Sequence, residues 1–441
     1  KPKEVYNQIP AEIPEQAQKL EDILKDLEEI ILPGITHWQH PNFHAYFSAN
    51  TSVESLFAEF ITAAIGAQCM IWDTSPAAAE LEERMMEWMR DKMGIPSNFE
   101  GVIQDTASTA SLAAILTARE IVTDFKSNDY GVPNNLRVYC STQTHSSIEK
   151  GVGIAGIGRK NVVKIAVDEK MAMIPEELEA AIKQDIENGL KPTCVVVAIG
   201  TTGTVAVDPL RPIGEICEKY DVFLHVDAAY AGTALMLPEY HWMIDGIEYA
   251  DSFVFNPHKW MFTNFDCTAY YVKDVDSLIK TFEILPEYLK TKSRGQVNDY
   301  RDWGIPLGRR FRALKLWFVL RGFGLEGIQQ TLRHHITLNQ FFAEEIKADP
   351  HFELVLEPNL NFTAFRFKPD PHTSEEELDR LNQKLVEEIN RDGQLYISHT
   401  KVHGKYVIRM VIAQTYVEKE DVLKALKVIR ETTAKLKLPQ A

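Results

Sequence analysis

The chain has 441 residues, 45% hydrophobic and 25% charged, which is long for a single core and leads us to expect a large domain with at least one smaller companion. A formal charge of −16 argues against nucleic acid or an anionic membrane surface as a partner, since both demand basic patches, and no apolar run reaches the length of a membrane span. The five cysteines, Cys69, Cys140, Cys194, Cys217 and Cys267, are scattered and never spaced Cys-x-x-Cys, which disfavours disulfides and a zinc site and fits a reducing cytoplasm.

Lys1 is not an initiator methionine, so a short trimmed leader is expected, and no signal-peptide pattern opens the chain. Residues 11–32 read as an amphipathic helix, with Leu20, Ile23, Leu24, Leu27, Ile30 and Ile31 at helical spacing and Pro33-Gly34 ending it. Residues 37–76 are rich in aromatics: Trp38, Phe43, Tyr46, Phe47, Phe57, Phe60 and Trp72. An arm this apolar packs either on its own core or on a partner subunit, and the partner is the expectation for residues 1–79.

From Glu80 the pattern alternates. A helix over 80–93 carries Leu81, Met85, Trp88 and Met89, and strand-like runs follow at 101–103, 137–140, 162–165, 194–199, 222–226 and 252–255. Helical stretches over 108–125, 175–188 and 212–220 separate several of them. Continuous apolar strands alternating with helices predict a mostly parallel sheet covered on both faces, with ligands beyond the carboxyl ends of the strands. Residues 286–306, with Lys290, Lys292, Arg294 and Gly295, lack apolar periodicity and read as a loop of lid type. A helical block over 309–348 closes the large domain, 80–348. The tail reads strand (352–367), helix (374–391), two strands (394–397 and 406–412) and helix (417–436), an α+β domain over 349–441. None of the 13 histidines has His-Glu-x-x-His spacing, and His334-His335 reads as a surface pair, so no metal is expected.

Chemistry concentrates at strand ends. Lys259 follows the apolar run at 252–255 beside His258, and Asp227 ends the run at 222–226. A lysine and a carboxylate at the ends of two core strands suit pyridoxal phosphate, the lysine as Schiff-base amine and the aspartate as partner of the pyridinium nitrogen. The small residues of Asp105-Thr-Ala-Ser-Thr-Ala-Ser111 open a helix, where backbone N–H groups and hydroxyls cup a phosphate. His145, in Thr144-His-Ser-Ser-Ile148, follows another strand and can lie over a cofactor ring, or simply make a turn. Gly200-Thr-Thr-Gly203 can place a hydroxyl near the cofactor, or likewise make a turn.

These motifs carry a resemblance. Val102-Ile-Gln-Asp-Thr-Ala-Ser108, Thr144-His-Ser-Ser147, Leu224-His-Val-Asp-Ala-Ala-Tyr-Ala-Gly232, Ala250-Asp-Ser-Phe-Val-Phe-Asn-Pro-His-Lys-Trp260 and Ile305-Pro-Leu-Gly-Arg-Arg-Phe-Arg312 follow in the order found in group II pyridoxal-phosphate-dependent amino-acid decarboxylases, and the chain is similar to their aromatic-L-amino-acid decarboxylase branch. The resemblance implies a fold type I α/β enzyme with a mostly parallel seven-stranded sheet, working as a cytoplasmic homodimer with active sites at the interface. Lys259 would be the Schiff-base lysine and Asp227 the pyridinium partner. Ala229 would pack on one ring face and His145 on the other, with Thr202 beside them, and Thr106, Ala107, Ser108, Asn256 and His258 would surround the phosphate. Tyr300, in Asn298-Asp-Tyr-Arg-Asp-Trp303, matches the family's catalytic tyrosine and would protonate Cα.

By the same resemblance Trp38, Tyr46, Phe47, Ser48 and Ala49 line the slot for an aromatic side chain, and Gly308 matches a position where glycine leaves room for an indole. Gln68 and Met70 depart from the apolar or aromatic residues common there; Gln68 would hydrogen-bond a ring hydroxyl or indole N–H, or face solvent. Asp105 stands where glycine is common, and an anion beside the cup repels phosphate unless it points away or is paired. Aromatic acetaldehyde synthases resemble these enzymes throughout and depart at the tyrosine or the stacking histidine. Here both residues are present, so the expected reaction is decarboxylation of an aromatic L-amino acid (tryptophan, tyrosine, phenylalanine, DOPA or 5-hydroxytryptophan) to its monoamine, with oxidative deamination to an aldehyde as the alternative.

Overall fold

The computed structural model describes residues 3–284 and 296–436. Residues 286–295 of the expected lid, including Lys290, Lys292, Arg294 and Gly295, lie outside the described residues.

The frame is a seven-stranded sheet in the order β1-β7-β6-β5-β4-β2-β3. Its strands are β1 (Glu100–Gln104), β2 (Leu136–Ser141), β3 (Val162–Ile165), β4 (Lys191–Ala198), β5 (Phe223–Asp227), β6 (Ser252–Phe255) and β7 (Thr268–Val272). β7 runs antiparallel to both its neighbours, and the pairs from β6 to β3 are parallel. Helices cover both faces, so β4 is apolar on both sides: Cys194, Val195, Val196 and Val197 are all fully buried. Burying each such side chain contributes roughly 1.5–3 kcal/mol. β7 had no counterpart among the expected strands, because Thr268-Ala-Tyr-Tyr-Val272 follows β6 without a long helix between them and so falls outside the strand–helix alternation.

The helix Ala107–Val122 crosses the sheet with Ala110, Ala113 and Ala114 packed against Val254 and Tyr270. Side chains this small bring the helix close to the strands. Thr106 caps it, its hydroxyl accepting the Thr109 N–H at 3.3 Å. A second, antiparallel sheet has the order β10-β11-β9-β8, with β8 (Phe352–Leu354), β9 (Phe362–Phe367), β10 (Ser398–Val402) and β11 (Lys405–Val411). Helices Glu375–Asp392 and Lys419–Lys435 belong to the same unit.

Several boundaries differ from expectation. The first long helix begins at Leu20, not residue 11, because Pro14 interrupts the earlier stretch and no capping side chain stands before Lys19. The expected strand at 352–367 is two strands, and the one at 394–397 forms over Ser398–Val402. The helical block runs Arg312–Ala348 and breaks at Gly324, whose φ of 64° and ψ of 167° only glycine adopts freely. His335 is not on the surface: it is fully buried, and its Nδ1 accepts the Trp260 indole N–H at 3.0 Å.

Candidate active site

The parallel register sets the site. Asp227 pairs with Val254 across β5 and β6, so both strands end at one level, and the turn Pro257–Trp260 then carries Lys259 back over the sheet edge. A cavity of about 260 Å³ opens there. It is lined by Thr106, Ala107 and Ser108 from the capped helix, His145 after β2, Thr201 and Thr202 after β4, Asp227, Ala229 and Tyr230 after β5, and Asn256, His258 and Lys259 after β6. Every residue assigned to the cofactor on sequence grounds borders this one cavity.

Lys259 makes no ion pair among the described residues, and its Nζ lies 5.6 Å from the centre of the Phe47 ring. Burial pushes its pKa down, while Asp227 pulls the other way, so the neutral, nucleophilic amine is favoured relative to a free lysine. Asp227 Oδ1 accepts the Ala229 N–H at 3.0 Å, which leaves Oδ2 for a ligand. His145 is held by Ser147, whose hydroxyl and N–H lie 2.8 and 3.2 Å from Nδ1. Burial and then Lys259 lower its pKa, so the ring is neutral and suited to stacking.

The phosphate end is equally specific. Ala107 and Ser108 open the helix, where the first N–H groups have no intrahelical partner. Asn256 Oδ1 accepts the Thr268 hydroxyl at 2.7 Å, leaving the amide N–H₂ as donor. His258 Nδ1 accepts the Cys267 N–H at 2.9 Å, and burial lowers its pKa to about 3, so the neutral ring carries its proton on Nε2 as a second donor. Asp105 does not oppose this set. Its carboxylate accepts the Thr106 N–H at 2.6 Å, it borders a separate small hollow, and it lies in the field of Arg312. An amine in apolar surroundings, a carboxylate with one free oxygen and a cluster of neutral donors at a helix N-terminus fit pyridoxal phosphate.

The residues expected to meet the substrate divide into two groups. Phe47 lines the cavity, stacked on Tyr230 at 3.8 Å. Tyr46 and Trp38 stack on each other at 5.5 Å but do not line the cavity, and Ser48 is turned into the core, where its hydroxyl accepts from Gln414 at 3.1 Å. Gln68, Met70, Gly308 and Tyr300 lie elsewhere, on the β1 side. Gln68 Oε1 accepts the Arg309 N–H at 2.6 Å, and a Cβ on Gly308 would stand 3.3 Å from Gln68 Nε2. The Met70 carbonyl accepts the Arg301 N–H at 3.0 Å. Tyr300 is buried, edge-on to Trp303 at 5.3 Å and 4.9 Å from the Arg309 guanidinium, bordering the same hollow as Asp105 and Gly308. Tyr300 is not among the described residues that line the Lys259 cavity.

A larger hollow of about 660 Å³ is walled by Glu80, Glu83, Asp276 and Glu283 among the described residues. Arg409 is a residue that the sequence reading missed. It is buried, donates to the carbonyls of Thr202 (2.8 Å) and Gly203 (3.1 Å), and lies 5.4 Å from the Phe47 ring. A lone charge inside the apolar run Tyr406-Val-Ile-Arg-Met-Val-Ile412 was the available signal.

Residues 2–368 match the family model described as the pyridoxal-dependent decarboxylase conserved domain. The chain belongs to the pyridoxal-dependent decarboxylases. Pyridoxal phosphate is accordingly its cofactor, and the fold is that of the type I enzymes. Tyrosine decarboxylase 2 of Narcissus pseudonarcissus is 41% identical over 98% of this chain and 88% of its own length. Phenylacetaldehyde synthase of Arabidopsis thaliana is 40% identical over 98% of this chain and 90% of its own. Among solved structures, Oryza sativa TDC with PLP and tryptamine matches with a TM-score of 0.96 at 33% identity, covering 99% of this chain and 92% of that one. Catharanthus roseus tryptophan decarboxylase in complex with L-tryptophan matches with a TM-score of 0.93 at 34% identity, with the same coverage.

Proposed function

We propose that this decarboxylase converts an aromatic L-amino acid to its monoamine and CO₂, as a cytoplasmic homodimer whose two active sites lie at the subunit interface. The observation that carries the reading is Lys259 opposite Asp227 in a cavity walled by the Phe47 ring. Relatives named as tyrosine and tryptophan decarboxylases support the aromatic class, and the tyrosine and histidine at positions 300 and 145 favour amine over aldehyde.

Pyridoxal phosphate, when bound, supplies the sink for the electron pair left as CO₂ departs. Lys259 would hold the cofactor as its Schiff-base amine. Asp227 Oδ2 keeps a proton on the pyridine nitrogen by a charge-assisted hydrogen bond. Ser108, Asn256 and His258 bind the phosphate, and His145 and Ala229 confine the ring between them. Phe47 offers an aromatic wall for the substrate side chain. Tyr300 returns a proton to Cα. Its burial raises the phenol pKa well above the usual value, so the hydroxyl stays protonated at neutral pH.

Dimerisation joins the two groups of residues: the partner subunit's Tyr300, Gln68, Met70 and Gly308 would complete the cavity of each chain. The exposed apolar surface of the N-terminal segment 1–79 supports this, with Phe57 61% and Phe60 75% exposed. The remaining divisions are the cofactor domain 80–348, which contains the seven-stranded sheet, and the domain 349–441, which contains the four-stranded one.

Subunit complementation tests the arrangement. Lys259→Ala and Tyr300→Phe homodimers should each fail to make amine. Dissociated, mixed and reassociated, they should recover roughly a quarter of the wild-type rate, because half of random dimers are hybrids and each hybrid has one intact site of two. No recovery in verified hybrids would place Tyr300 in the same chain as the lysine it serves and remove the interface reading.

A further inference from the structure

His225 stands two residues before Asp227 on β5, and the alternation of a strand puts both side chains on one face of the sheet. The imidazole is fully buried. Its Nε2 lies 2.9 Å from Ser111 Oγ, and its Nδ1 lies 2.9 Å from Ser252 Oγ. Ser111 sits one turn beyond Ala107 and Ser108 on the helix that cups the phosphate. Ser252 is the first residue of β6 and the register partner of His225, and β6 leads directly into Asn256 and Lys259. Tyr270 on β7 closes the pocket edge-on, 6.3 Å away.

One ring therefore joins the three backbone segments that supply the phosphate cup, the pyridine carboxylate and the Schiff-base lysine. A neutral imidazole has one N–H and one lone pair, and a rotating serine hydroxyl serves each. His225 does not border the Lys259 cavity, so it reaches neither cofactor nor substrate. An apolar side chain would fill this core without needing two buried serines to satisfy it. The cost of a polar group here is explained if its two bonds fix a spacing.

We propose that His225 is a positioning residue, and that the Ser111–His225–Ser252 bridge holds the phosphate cup at a set distance from the Asp227–Lys259 pair and so determines the affinity for pyridoxal phosphate. The inference rests on the assignment of the Lys259 cavity to the cofactor.

The test strips cofactor from wild type, His225→Leu and His225→Gln, then titrates each apoprotein with pyridoxal phosphate while following the visible band of the lysine-bound form. Melting of each apoprotein is measured alongside. His225→Leu should weaken cofactor binding about tenfold or more, the equivalent of one lost buried partner. His225→Gln, which keeps a donor and an acceptor, should restore most of it. The pH at which the band changes should also move in the leucine variant and return with glutamine. In a double-mutant cycle, Ser111→Ala should weaken binding in wild type and add nothing in His225→Leu. A purely structural histidine would lower the apoprotein's melting temperature but leave affinity and band pH dependence at wild-type values, and that result overturns the proposal. Should His225→Leu fail to fold, Ser111→Ala and Ser252→Ala carry the test: several-fold weaker binding supports it, and unchanged binding overturns it. A wild type with no lysine-bound band would fell the site assignment and this inference together. A normal wild-type band with unaffected variants would fell this inference alone.

Discussion

Lys259 owes its reactivity to where it sits. Burial lowers its pKa against the pull of Asp227, with the Phe47 ring 5.6 Å from its Nζ. Lys259→Ala should abolish the visible band of the lysine-bound cofactor; a band that survives would mean another lysine holds it. Tyr300→Phe removes only a hydroxyl from a buried ring held by Trp303 and Arg309. Cofactor binding should be unchanged, while product shifts from amine to aldehyde, ammonia and hydrogen peroxide; an unchanged amine yield would take the proton-donor role from Tyr300. At this scale the residues that share the Lys259 cavity were legible in the sequence, because a lysine, an aspartate and a run of small residues at strand ends are chemically specific. Arg409 and His225 were not, because each acts through partners that only the fold brings near: Thr202 and Gly203 for one, Ser111 and Ser252 for the other.

The elements matter through how they are pinned. Helix Pro76–Lys92 is tied to the Tyr300 region by Glu82, whose carboxylate meets Arg309 at 2.6 Å and accepts the Ile103 N–H at 2.7 Å. The pair is buried on both sides, so removing the acid strands a guanidinium in the interior. Glu82→Ala should cost roughly 3–5 kcal/mol, read as a lowered thermal or denaturant midpoint. It should also reduce the amine fraction, because Arg309 supports the Tyr300 ring. Full stability in the variant would show that the tie carries no load. The alternation of strands and helices was readable because buried parallel strands are continuously apolar. β7 and the exact start of the first helix were not, since β7 follows β6 without a long helix between them, outside the alternation, and an uncapped helix end leaves little signal.

At the scale of the whole molecule, two features await partners or protons. The exposed aromatics of helix Val53–Ile65 favour a second copy of the chain, so Phe60→Asp should yield monomers by light scattering and lose amine formation with them. A dimer of wild-type affinity would place the interface elsewhere. Stability should also fall in mild acid. Burial holds His44 and His225 at about 4 and His335 at about 3, below the ordinary 6.5. Between those values the unfolded chain binds more protons than the folded one, so stability is full above about pH 6.5 and declines as the pH falls towards 4. His258, held at about 3, adds to this; Asp208, raised to about 6 by burial, and Asp251 and Glu83, which burial also raises, act in the opposite sense, but the four buried imidazoles are displaced further and dominate. Thermal melts across this window should show a falling midpoint, and a flat profile would mean the rings are protonated in place.

The central claim is the reaction itself. Purified protein with pyridoxal phosphate should be offered a panel of aromatic L-amino acids and glutamate, with CO₂, amine, aldehyde and peroxide measured together. Amine equal to CO₂ for one or two aromatic substrates, and nothing from glutamate, is the predicted result. Aldehyde with peroxide in place of amine, or turnover of glutamate alone, would contradict it.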